Sequence, residues 1–303
     1  MLRFVSLFDR SRCKYFAAAF GFVLVCLCPA KARAQEWPYL VTYSHELEEP
    51  GNLEIAFKNV QAAPANGNQF ISSTMELEYG ATAWWTTEFY LDGQTTFNES
   101  TLFTGFRWEN RFRPLKHEHF INPVLYIEYE NTSGADKILK EIEGHDVEAD
   151  NGDPNSEARH DHDHEMEFKL LLSSTHKGWN FVENTIATKN LSNDPWEFGY
   201  AIGASRPLRL KATPTKCNFC RENVIAGVEL YGGLGDRHSF GLKDTSHYLA
   251  PVMAVNLPSD WTLRLSAGWG LNDQSHKFLL RWGVSREFAG FGDLVGKMFG
   301  GKN

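Results

Sequence analysis

Residues 261–288, WTLRLSAGWGLNDQSHKFLLRWGVSREF, alternate in polarity over two runs separated by a short polar turn. Trp261, Leu263, Leu265, Ala267 and Trp269 share one face; Thr262, Arg264, Ser266, Gly268 and Gly270 share the other. After the turn, Phe278, Leu280, Trp282, Val284 and Phe288 alternate with Lys277, Arg281, Gly283, Ser285 and Glu287. Side chains of a strand point to opposite faces in succession, so this pattern predicts a β-hairpin with one aromatic, apolar face and one charged or small face. Tryptophans near the strand ends make lipid a candidate for what the apolar face touches.

A membrane barrel needs an export signal, and residues 1–34 have its three parts. They are a basic start (Arg3, Arg10, Arg12, Lys14), an apolar run from Tyr15 to Cys28, and a small-residue site at Ala32-Arg33-Ala34 before Gln35. The run of about 14 residues is shorter than the ~20 of a spanning helix, so a cleaved signal peptide is expected over 1–34. No later run is long enough to cross a bilayer as a helix, and the mean hydropathy is −0.38. A barrel is compatible with that value because its strands alternate lipid-facing and lumen-facing residues.

Residues 1–34 carry net +5, which leaves −13 on residues 35–303. That sign disfavours nucleic acid as a partner. Residues 133–163 hold ten acidic and three basic side chains and read as a solvated, His-rich extracellular loop.

Twelve alternating segments are predicted near 51–63, 69–79, 84–97, 102–113, 120–132, 164–175, 179–190, 195–206, 222–234, 247–257, 261–271 and 276–288. An even number closes an antiparallel barrel with both termini on one side. The expected fold is therefore all-β, a closed antiparallel up-and-down transmembrane barrel over 51–288. Residues 35–50 are expected as an N-terminal periplasmic segment. The parity opposite the apolar face puts Glu88, Arg107, Glu109, Arg111, Glu128, Glu130, Arg264 and Arg281 in the lumen.

The signal, the strand–turn pattern over 51–288, the turn Tyr79-Gly80-Ala81-Thr82-Ala83-Trp84 and a strand ending at Phe288 together resemble bacterial outer-membrane β-barrels of the broad channel or transporter class. The resemblance implies the outer membrane as location, and membrane lipid, the assembly machinery and small polar solutes or ions as partners. Two features depart from the usual pattern: Arg286 stands where an aromatic is common, and residues 289–303 continue past the phenylalanine. The extension AGFGDLVGKMFGGKN spaces Phe291, Leu294, Val295, Met298 and Phe299 as on a helix. It reads either as an interfacial or lumen-plugging helix or as a glycine-rich tail.

Three motifs have chemistry to weigh. In an extended chain His160, His162 and His164 point the same way ~7 Å apart, so a turn could converge them on a divalent metal; the alternative is a flexible acidic loop that is histidine-rich. Cys217 and Cys220 are expected as a structural disulfide in an exported chain. The serine–histidine pairs at loop rims lack a third partner, so no enzyme and no resident cofactor is expected. The function expected is a channel for small polar solutes or ions with a charged lumen. Its rivals are a closed structural or adhesive barrel, a surface metal-binding protein, and a secreted soluble all-β binding protein.

Overall fold

The computed structural model describes residues 36–62, 64, 67–138, 153–192, 194–211, 219–258 and 260–298. The expected signal peptide lies outside these residues. Twelve strands form: β1 (Leu53–Ala62), β2 (Phe70–Thr82), β3 (Trp85–Thr96), β4 (Thr101–Phe112), β5 (Asn122–Ser133), β6 (His162–His176), β7 (Trp179–Asn190), β8 (Trp196–Pro207), β9 (Val224–Asp236), β10 (His247–Leu257), β11 (Trp261–Gly270) and β12 (Phe278–Phe288). Each pairs antiparallel with its sequence neighbours, and β1 pairs with β12 from Leu53 opposite Phe288 to Ala62 opposite Leu279, closing the barrel.

The hairpin at 261–288 is the closing β11–β12 pair, with Trp261 opposite Arg286 and Trp269 opposite Phe278. Closure removes both sheet edges, so every strand finds hydrogen-bond partners within the wall. Outward positions such as Phe57, Met75, Phe89, Trp108, Leu125 and Phe168 are exposed, while the alternate positions are buried inside. A continuous apolar exterior around a polar interior excludes the soluble all-β reading, because in water that exterior would be left unburied. Rings gather at the end carrying the short turns, where Trp84, Trp85 and Phe112 cluster with centroids 6.2–6.4 Å apart and Trp179 stacks on Phe181. This is the periplasmic end of a barrel of this design.

Two expectations are corrected. Residues 36–47 do not hang free on the periplasmic side: they fold back into the lumen. Inward-facing polar groups of the wall need partners once removed from bulk water, and this segment's backbone supplies them. Nor is the long connection solvated over all its described length. Beside the short helix α1 (Asn155–Ala158), Ala135, Lys137, Asn155 and Ala158 are buried. Gln94 donates to the Ala135 carbonyl at 2.7 Å and accepts the Lys137 N–H at 3.0 Å, so the flanks of the loop dip into the extracellular mouth. A second helix, α2 (Phe291–Met298), follows the last strand.

Candidate functional site

Register places a carboxylate directly opposite a carboxylate on strand after strand. Glu287 of β12 faces Glu54 of β1, Glu54 faces Glu78 of β2, and Glu78 faces Glu88 of β3. Glu88 then faces Glu109 of β4, Glu109 faces Glu128 of β5, and Glu128 faces Glu167 of β6. Because barrel strands are tilted, a row running along the hydrogen-bond direction also climbs the barrel. Glu54 lies at the periplasmic start of β1, whereas Glu167 lies in the extracellular half of β6. The result is a rising row of seven glutamates across seven adjacent strands.

Like charges directly opposite repel, and burial adds a desolvation cost, so the row exists only with cations set into it. Arg111 reaches Glu78 at 2.5 Å, Glu109 at 3.0 Å and also Glu88. Arg107 pairs with Asp92 at 2.9 Å and Glu128 at 3.4 Å, its guanidinium 4.2 Å from the Tyr90 ring centroid. Lys169 pairs with Glu167 at 2.7 Å and Lys58 with Glu76. Arg264 meets Glu36 at 3.0 Å and Glu54 at 3.9 Å, and Arg281 donates to the Tyr231 hydroxyl at 2.8 Å. The Tyr90 hydroxyl lies 2.5 Å from Glu88 and 2.6 Å from Glu109, its one proton shared between the two carboxyls.

The N-terminal segment lies across this row. Glu229 of β9 accepts the backbone N–H of Val41 at 3.0 Å and of Thr42 at 2.7 Å, and the Thr42 hydroxyl at 2.8 Å. Asn184 accepts the Tyr43 N–H and donates to the Tyr43 carbonyl, at 2.7 and 2.9 Å. The Tyr39 hydroxyl donates to Asn180 at 3.0 Å and accepts from Ser205 at 2.9 Å. Val41 packs on the cluster of Phe70, Tyr231, Tyr248 and Leu279, which Ile138 of the extracellular loop also meets. Two small cavities remain along the row. One, about 160 Å³, is lined by Glu54, Glu78, Glu88 and Arg111 with Tyr39, Leu40, Thr42 and Tyr43. The other, about 150 Å³, is lined by Tyr90, Arg107, Glu128, Glu167 and Lys169 with Val41 and Ile138.

No family model and no curated protein sequence matches the chain. Solved structures do. An outer-membrane channel from Pseudomonas putida F1 superposes with a TM-score of 0.50 over 85% of this chain and 100% of its own, at 11% identity. The KdgM porin gives 0.47 over 78% and 99%, at 8% identity. LpxR from Salmonella typhimurium gives 0.43 over 77% and 99%, at 9% identity. The fold is an outer-membrane β-barrel.

Within that barrel, the eight lumen charges named from the sequence all face inward, and Glu88, Arg107, Glu109, Arg111, Glu128 and Arg264 do so as paired ions, which alternation alone cannot show. The six on β3–β5 lie in or beside the row, while Arg264 on β11 meets Glu54 at its β1 end and Arg281 stands on β12, the strand of Glu287. Among the histidines, His164 points outward, stacks on Tyr129 and is 2.8 Å from its hydroxyl, and His160 and His162 are exposed. The ring nitrogens of the three do not come within 4.8 Å of one another. The described groups that do gather to that distance are Glu54, Glu76 and Glu78, and Glu128, Glu130 and Glu167. Cys220 is disulfide-bonded, and Cys217 lies outside the described residues.

Sequence reasoning missed His45. Its Nδ1 is 2.5 Å from the Ser173 hydroxyl, which also accepts the His45 backbone N–H at 2.9 Å. The Glu118 carboxylate is 3.9 Å from Nε2 and mostly exposed. Neither residue lines the two lumen cavities, so the pair serves to latch the segment to β6. The signal for it is a partner 128 positions away, invisible to local pattern.

Proposed function

We propose that the protein is an outer-membrane channel for small polar solutes, with a preference for cations and cationic groups, held shut here by its own N-terminal segment. The glutamate row carries this reading. It offers carboxylates in succession from one mouth of the barrel towards the other, and fixed acidic groups inside a low-dielectric wall raise the local concentration of cations. Interleaved arginines and lysines keep each step shallow, so that a solute bound at one carboxylate can leave for the next. The segment is held by side chains of the wall rather than by strand pairing, which suits release. The reading assigns no catalytic step.

Planar-bilayer recording with the mature protein tests it. Reversal potentials in a salt gradient should show cation preference, lowered in a Glu88→Gln/Glu128→Gln variant, and Glu229→Ala should lengthen the open time by loosening the segment. Absence of conductance steps in both the wild type and Glu229→Ala would instead support a closed structural barrel, which the filled lumen favours as second reading.

A further inference from the structure

Arg286, the residue that breaks the aromatic pattern of the last strand, points outward at the periplasmic end of β12. It stands directly opposite Trp261 on β11 and Ile55 on β1. Its guanidinium carbon is 5.5 Å from the Trp261 ring centroid and 5.0 Å from that of Phe288. The residue is only 7% exposed, and its Nε has no hydrogen-bond partner. A buried guanidinium forms charge-assisted hydrogen bonds wherever an acceptor is within reach, so an enclosed N–H without a protein acceptor is a donor that a bound anion can use. The same construction recurs on the same rim. Arg206, outward on β8, lies 5.7 Å from the Trp179 ring centroid, and its Nε also lacks a partner. Both stand in the aromatic girdle, the depth at which phospholipid phosphates meet the barrel wall.

The C-terminal extension adds a third observation. The Gly290 N–H donates to the Asn52 side chain at 2.8 Å and the Gly292 N–H to the Gly51 carbonyl at 2.9 Å. These bonds fix α2 to the periplasmic rim next to the seam where β12 meets β1. A Cβ on Gly292 would come within 2.8 Å of the Tyr79 hydroxyl, so a larger residue would require the Tyr79 side chain to shift. Leu294 and Met298 remain exposed, and Lys297 lies between them in sequence.

We infer that this seam is a phospholipid site: Arg286, held between Trp261 and Phe288, binds the phosphate of an inner-leaflet phospholipid, and α2 lies in the headgroup layer beside it. The guanidinium supplies paired N–H donors to phosphate oxygens, while the rings exclude water and hold its plane. The inference needs the barrel to be in a membrane and does not depend on whether the lumen conducts.

The test is native mass spectrometry of the detergent-solubilised mature protein titrated with phosphatidylglycerol, with heat-modifiable gel mobility as the check on folding. Wild type should retain the lipid. Arg286→Met should bind it about five-fold more weakly, the effect of one basic residue at a membrane surface, and Arg286→Lys should fall between. Unchanged phosphatidylglycerol affinity in Arg286→Met overturns the site. So does displacement of the lipid by equimolar inorganic phosphate, which would show a free-anion site. If Arg286→Met does not fold, a chain ending at residue 290 keeps all twelve strands and should lose affinity to a similar extent; retention of wild-type affinity there, with Arg206→Met also unchanged, again overturns it.

Discussion

The two halves of the barrel wall are built to opposite rules. Inside β1–β6 the wall is bulky and ionised: Glu76, Glu88, Tyr90, Arg107, Arg111, Tyr126 and Glu167 fill it and satisfy one another. Inside β7–β12 it is smoother, with Ala201, Gly203, Ser205, Ala250, Ala254 and Ser266 at inward positions between larger groups such as Glu229, Tyr231 and Tyr248. A twelve-stranded barrel is narrow, lying between the eight-stranded barrels that side chains fill and the larger porins that leave a water channel. One wall must therefore recede if a chain segment is to enter, and the smooth half is where residues 39–43 find room. In the proposed channel the charged half would supply the path, and the smoother half seats residues 39–43.

Breaking the charged half should have the largest effect. Arg111→Met leaves Glu78, Glu88 and Glu109 buried without their shared cation, and removing one partner of a buried ion network costs ~3–5 kcal/mol. The loss should be read as a lower urea midpoint in unfolding of the inserted barrel followed by tryptophan fluorescence. An unchanged midpoint would mean that the carboxylates there are already neutral or solvated.

On the smooth half, Glu229→Ala removes the acceptor for Val41 and Thr42. Hydrogen bonds to a charged group are worth ~1.5–3 kcal/mol, so amide exchange over residues 39–43 should accelerate with the barrel itself unaffected. Gly203→Ala is a smaller, steric probe of the same contact. Its Cβ would come 2.6 Å from a Tyr39 ring carbon and 2.8 Å from a Val182 methyl. Overpacking of this kind costs ~1–3 kcal/mol, and because the Tyr39 end can shift, the lower figure is expected. A variant that exchanges like wild type would show that the segment does not seat against β8.

The smallest effect is in the connections above the two halves, where pH should act with opposite signs. Asp136, over the charged half, accepts the Thr104 hydroxyl at 2.6 Å. Burial and then the nearby Asp92 charge raise it to about 6. Between about pH 4 and 6 the closed loop thus holds a proton that the opened loop releases, so closure weakens as pH rises through that window. His276, over the smooth half, packs edge-on to Phe70, and burial lowers it to about 4. There the opened state takes up the proton, so closure weakens as pH falls from about 6.5 to 4. Exchange mass spectrometry corrected for intrinsic rates should show both slopes, and Asp136→Asn should flatten only the first.

Much of the wall was legible in advance. The twelve segments, the lipid face and the lumen parity of Glu88, Arg107, Glu109, Arg111, Glu128 and Glu130 follow from a two-residue period that each strand carries within itself. The C-terminal anomalies were legible as departures but not as a site, since the Arg286–Trp261 contact needs the β11–β12 register. Residues 36–47 gave no warning of their place. They have no period, and their partners Glu229, Asn184, Asn180 and Ser173 lie more than 120 positions away.

The sequence by itself determined which residues face lipid and which face the lumen, because alternation is a local consequence of strand geometry and burial in lipid tolerates no other order. Only the tertiary structure decided that seven glutamates fall into one rising row and that residues 39–43 lie across it. Both depend on register and shear around the closed barrel, which are set jointly by all twelve strands and their turns and by no one of them alone.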